Sequence, residues 1–73
     1  MTTAELIRTS RVEAGLTQDD VASRLHVSQP LISRWEQNRQ TPSISQCVEL
    51  ERLFGMRPGT LLIHAGYDDQ AGN

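Results

Sequence analysis

The stretch VSQPLISRWEQNR, from Val27 to Arg39, holds the densest set of side chains in this sequence that could recognise another molecule. On a helical wheel Gln29, Ser33, Gln37, Pro30 and Arg34 follow one another along one arc, while Leu31, Ile32 and Trp35 gather on the opposite side. The arc offers amides, a hydroxyl and one guanidinium. No carboxylate stands among them, although Glu36 lies at the edge. A merely solvated face usually mixes both signs of charge, so this one suits hydrogen-bonding recognition. Catalysis is poorly served by the rest of the inventory. The chain has no nucleophile with a base partner, no paired carboxylates for a cleft, no phosphate-cradling glycine loop and too little mass to enclose a pocket. His26 and His64 are isolated from each other and from other ligand types, so no metal site is expected. No cofactor and no small-molecule substrate follow from these residues.

Seventy-three residues make at most one small domain. A chain of this size buries roughly 60% of its unfolded surface, so its core must be compact and helix-dense. The single Cys47 cannot form an internal disulfide, and neither a signal-type apolar run nor a membrane span is visible. A reducing cytoplasm is the expected setting. Cys47 falls at helical spacing with Leu50 and Phe54, which favours a core position over a reactive thiol. Seven Arg face nine Asp and Glu, and two of those acids, Asp68 and Asp69, lie in the tail. Residues 1–67 are therefore formally neutral. Neutrality permits a local basic stripe but denies the protein a strong non-specific field toward polyanions.

Capping residues divide the chain into five helices. The first is expected over residues 3–14, with Leu6 or Ile7, Ser10 or Arg11, and Ala14 on its inner side and Gly15 ending it. Thr17 starts the second, Asp20 can reach back to the cap amide, and Val21, Ala22 and Leu25 form its buried stripe. His26 falls where the chain leaves that helix in a left-handed conformation, a structural role. Ser28 is expected to cap the third helix, about 29–37, with Pro30 in its first turn, where a missing N–H costs nothing. Asn38 ends it as a left-handed residue. Ser43 and Gln46 form another capping box, the fourth helix runs to Phe54, and Gly55 stops it. A short fifth helix is expected from about Pro58, with Leu61 and Leu62 inward, ending near Gly66. The domain is thus residues 1–67 and all-α, and 68–73 read as a polar, disordered tail.

Two helices joined by a three-to-four-residue turn, with Ala22 where they approach, make a helix-turn-helix over residues 18–35. At this point the chain resembles the lambda-repressor-like (Cro/Xre-type) helix-turn-helix family over nearly its whole length. The matching motifs are RVEAGLTQ at Arg11 to Gln18, VASRLHVS at Val21 to Ser28, ISRWE at Ile32 to Glu36, and the PS at Pro42. The resemblance implies a sequence-specific DNA-binding domain whose third helix lies in the major groove. It assigns Gln18 to a backbone phosphate, and Gln29, Pro30, Ser33 and Arg34 to the groove. Ser28, Asn38 and Arg39 match positions near the sugar-phosphate chain. Arg11 and Glu36 match a pair joining the first helix to the third.

The sequence also departs from the family pattern. His26 and Asn38 stand where turn glycines are usual, and Pro30 replaces a polar base-reading residue, which suits an apolar contact such as a thymine methyl. Glu51 falls among core positions, where it is either paired, at a dimer contact or turned to solvent. Trp35 reads as core rather than as a stacking platform. Gln18 and Ser28 double as helix-start residues, and dipole compensation is the rival account of Arg39. Arg34 is favoured as a DNA contact over a solvated charge, because its arc lacks acids. The expectation is a small bacterial or phage transcriptional regulator, cytoplasmic and nucleoid-associated. It binds a pseudo-palindromic operator in double-stranded DNA as a homodimer. The competing expectation is a helix-turn-helix-fold interaction or dimerisation module, antitoxin-like, with weak or no DNA binding.

Overall fold

A computed structural model describes residues 1–67. Its helices are α1 (Thr3–Glu13), α2 (Gln18–Leu25), α3 (Gln29–Glu36), α4 (Ile44–Phe54) and α5 (Thr60–His64). α3 packs mainly on α2 and α1, and α4 mainly on α5, with α1 also touching α4 and α5. No strand occurs among the described residues. The polar tail expected at 68–73 lies outside them.

Local chemistry explains where the helices begin. Three have reciprocal capping boxes: Thr2 with Glu5, Thr17 with Asp20 and Ser43 with Gln46. In each, a hydroxyl accepts the N3 amide while the N3 side chain accepts the cap's own N–H, so two orphan donors are satisfied at once. α3 differs. Ser28 occupies the cap position but its hydroxyl makes no capping bond, contrary to expectation. Pro30 has no N–H to give, and the Leu31 N–H is already bonded to the Ser28 carbonyl at 3.1 Å. The Ser28 hydroxyl therefore stays on the exposed surface.

All five helices end the same way. A left-handed residue bonds three residues back, and its successor bonds five residues back, as in Asn38 N–H to Trp35 O at 3.2 Å and Arg39 N–H to Arg34 O at 2.9 Å. Three of the left-handed residues are glycines, while His26 (φ 58°) and Asn38 (φ 60°) carry side chains in that conformation. The two non-glycine turns are those flanking α3.

The core is built from Ile7, Val21, Ala22, Ile32, Trp35, Cys47, Leu50 and Leu61, all buried. With so few fully buried side chains, each of the Val, Ile and Leu residues contributes on the order of 1.5–3 kcal/mol of transfer free energy to a domain of marginal stability. Trp35 is 1% exposed. Its Nε1 has no hydrogen-bond partner among the described residues, a cost set against the large area that the indole buries. Cys47 donates a long hydrogen bond to the Pro42 carbonyl at 3.8 Å, and burial pushes its thiol up to about 11. It is protonated at neutral pH and behaves as a small core residue.

Two expected details change. Ala14 is exposed rather than inward-facing, because α1 ends at Glu13 and Ala14 already belongs to its cap. α5 begins at Thr60 and not at Pro58, because the chain first turns at Gly59 (φ 93°). Glu51 explains this start. It is 4% exposed, and its carboxylate accepts the amides of Gly59 at 3.0 Å, Leu61 at 2.8 Å and Leu62 at 3.1 Å. Among the described residues the partners of Glu51 are thus the amides at the start of α5, where orphan N–H groups carry partial positive charge.

Candidate nucleic-acid interface

The charged edge of α3 turns inward. Arg11, from α1, donates to Glu36 through Nε at 2.6 Å, and its Nη2 reaches the other carboxylate oxygen at 3.1 Å. The side chains are 14% and 4% exposed, respectively, so the pair is largely withdrawn from water. Arg11 Nη1 also donates to the Leu16 carbonyl at 2.9 Å, which ties the loop after α1 to the same guanidinium. The hydrogen bond that Arg11 donates to Glu36 raises the Arg11 pKa above its ordinary value despite burial. Such a planar, bidentate arrangement suits Arg and would be lost with Lys.

The pairing extends through side chains to the helix surface. Gln18 Nε2, at the start of α2, donates to Glu36 Oε1 at 3.0 Å, and Gln29 Nε2, at the start of α3, donates to Gln18 Oε1 at 2.6 Å. Arg11, Glu36, Gln18 and Gln29 therefore form one relay across three helices. Every amide orientation in it is set by its neighbour: Gln18 must present N–H to a carboxylate, so its oxygen faces Gln29. Gln29 keeps one N–H and its own oxygen uncommitted within the relay.

The remaining polar residues of the helix lie apart from the relay. Pro30, Arg34, Gln37, Asn38 and Arg39 are exposed, and Ser33 is half-buried. Gln37 Nε2 donates to Ser33 Oγ at 2.8 Å, one turn back on the same face. Arg34 Nε donates to Gln40 Oε1 at 3.2 Å, so its partner is a neutral amide from the loop after α3. Sequence periodicity does not reach Gln40, because it lies beyond the helix end. Only the left-handed turn at Asn38 brings it back toward Arg34. The Gln18–Gln29 hydrogen bond is equally invisible in the sequence, since eleven positions and a turn separate the two. Among the described residues no helix is long and apolar enough to cross a membrane.

Short helices crossing at a tight turn, with α3 carrying an acid-free outer arc, define a compact, all-helical domain of lambda-repressor-like type. The chain belongs to the HTH_3 helix-turn-helix family, whose model matches residues 7–61. That family is one of DNA-binding regulatory domains, generally non-enzymatic, and DNA is its partner in general. No curated protein and no solved structure matches the chain.

Proposed function

We propose that this chain is a sequence-specific regulator that inserts α3 into the major groove of duplex DNA. The observation that supports this best is the inward turn of Glu36. Held by Arg11 and Gln18, the one carboxylate of α3 is kept from the phosphates, and the outer arc retains only neutral groups and Arg34. Gln29 keeps an N–H and an oxygen, the pair an amide uses on the N6 and N7 edge of adenine. Arg34 suits the O6 and N7 acceptors of guanine. In this reading Pro30 and Ser33 meet bases by apolar contact and hydroxyl. Gln18, Ser28, Asn38 and Arg39 approach the sugar-phosphate chain, with the second N–H of Gln18 and the free hydroxyl of Ser28 as donors.

A single such domain covers few base pairs, so the binding form is a two-fold dimer on a pseudo-palindromic operator, with half-sites about 34 Å apart or a multiple of it. α5 and the loop before it are the candidate interface, where Ile63 is 62% exposed. The setting is the bacterial or phage cytoplasm. Selection from random duplex DNA, followed by footprinting of the best sequence, tests the reading. The expected result is steeply salt-dependent binding to two half-sites. Binding no tighter to any selected duplex than to random DNA favours the interaction-module alternative. A monomer on one isolated half-site contradicts the dimer.

A further inference from the structure

We infer that Gln40 is a positioning residue that fixes the guanidinium of Arg34 for reading a base. The inference rests on the groove reading above and names a residue outside the recognition helix as part of its specificity. Two bonds hold the 39–40 segment against Arg34: the Arg39 N–H donates to the Arg34 carbonyl at 2.9 Å, and Arg34 Nε donates to Gln40 Oε1 at 3.2 Å. The backbone reversal that makes this possible is Asn38 at φ 60°. Gln40 also lines the cleft beside Trp35, Asn38 and Thr41, next to a side chain of the core.

The chemistry follows from the guanidinium's fixed shape. Its five N–H groups lie in one plane and can grip a pair of acceptors either through Nε and one Nη or through both Nη ends. With Nε committed to Gln40, the end-on edge remains for guanine O6 and N7. The partner is an amide and not a carboxylate, so the bond orients the charge without neutralising it. A free Arg side chain has many rotamers and can swing to a phosphate, where it adds affinity but no sequence information. Biasing it toward the end-on edge as the groove is dehydrated converts a generic cation into a base reader, because it lowers the ordering cost of the contact. Exposed to water, the bond is weak. Inside a groove from which water has been expelled, it competes only with DNA.

The test compares the full chain with its Gln40→Met and Arg34→Ala variants in selection from random duplex DNA. Affinities are then measured on the best duplex and its single-base-pair variants. Met keeps the length of Gln40 and removes its acceptor, and thermal melts check that the fold is unchanged. Gln40→Met is expected to cut discrimination for guanine at the Arg34 base pair about fivefold, with preferences elsewhere intact. Arg34→Ala is expected to abolish that same preference. Three results overturn the inference while leaving the groove reading in place: unchanged discrimination in Gln40→Met, an equal loss on all sequences, or a loss at a different base pair. If Arg34→Ala relaxes no base pair, the assignment of Arg34 to the groove fails and the inference falls with it.

Discussion

In the α1–α3 half of the domain a buried carboxylate, Glu36, meets a full positive charge from α1 and a side-chain amide from α2. In the α4–α5 half another, Glu51, meets only backbone amides at the start of a helix. Both solve the same problem, since a carboxylate withdrawn from water must have its oxygens satisfied. The consequences differ because of what the partners are. Glu36 is bonded to side chains, and the chain of bonds runs on through Gln18 to Gln29 on the outer face. Glu51 is bonded to main chain, and its influence ends where α5 begins. On the proposed reading the Glu36 bonds couple stability to recognition, whereas the Glu51 bonds act only on the start of α5.

The comparison breaks most directly at Glu36. Glu36→Ala leaves the largely buried Arg11 guanidinium and the Gln18 amide without their acceptor and is expected to cost about 3 kcal/mol. Denaturant melts followed by the fluorescence of Trp35, the only tryptophan, measure it. A variant as stable as wild type would remove the basis for coupling. Glu51→Ala is expected to cost less, about 2 kcal/mol, because α5 is short and its freed amides can reach water by fraying. Its damage should be local. Hydrogen exchange should accelerate at the Leu61 and Leu62 amides while DNA base preference is retained. Loss of base preference in this variant would contradict the division between the halves.

The smallest effect separates the halves by pH. The Thr2 and Thr17 backbone amides donate to Glu5 and Asp20 and hold both carboxyls below their ordinary values of 4.5 and 3.8. A depressed folded value means that the stabilisation is complete above those ordinary values and is lost as pH falls through the depressed ones. The α4 box uses the neutral Gln46 and has nothing to titrate. Amide chemical shifts of Glu5 and Asp20 should therefore move on acidification, before global unfolding, while that of Gln46 stays fixed. Simultaneous movement of all three would show that the charged caps are no weaker in acid than the neutral one.

What could be read in the sequence was local. Thr17 with Asp20, Ser43 with Gln46, and the left-handed positions at His26 and Asn38 mark helix ends because caps act within a few residues of themselves. The inner faces of α2 and α3 follow from periodicity, as Val21, Ala22, Ile32 and Trp35 show. What could not be read depended on how distant segments meet. The role of Glu51 needs the position of α5, and Gln40 reaches Arg34 only after the chain has reversed at Asn38. The Ser28 hydroxyl failed to cap for a local reason that the motif conceals: the proline that suits the first turn has no N–H to offer, and the next amide, that of Leu31, bonds the Ser28 carbonyl instead. Ala14 and Pro58 each lie within a turn of a helix end, where periodicity no longer decides between helix and cap.

The proposal that α3 reads bases through its outer arc stands or falls with the paired variants Arg34→Ala and Arg39→Ala. Binding is measured on the selected duplex, on each single-base-pair variant of it, and across a series of salt concentrations. Arg34→Ala is expected to lose about 1–3 kcal/mol per half-site on the best duplex and to relax preference at one base pair while the others keep theirs. Arg39→Ala is expected to weaken all sequences alike and to flatten the slope of log affinity against log salt by roughly one unit for each phosphate left unneutralised. If Arg34→Ala lowers binding to every duplex equally, with each base preference intact, Arg34 is a phosphate contact and the outer arc of α3 is not the reading face.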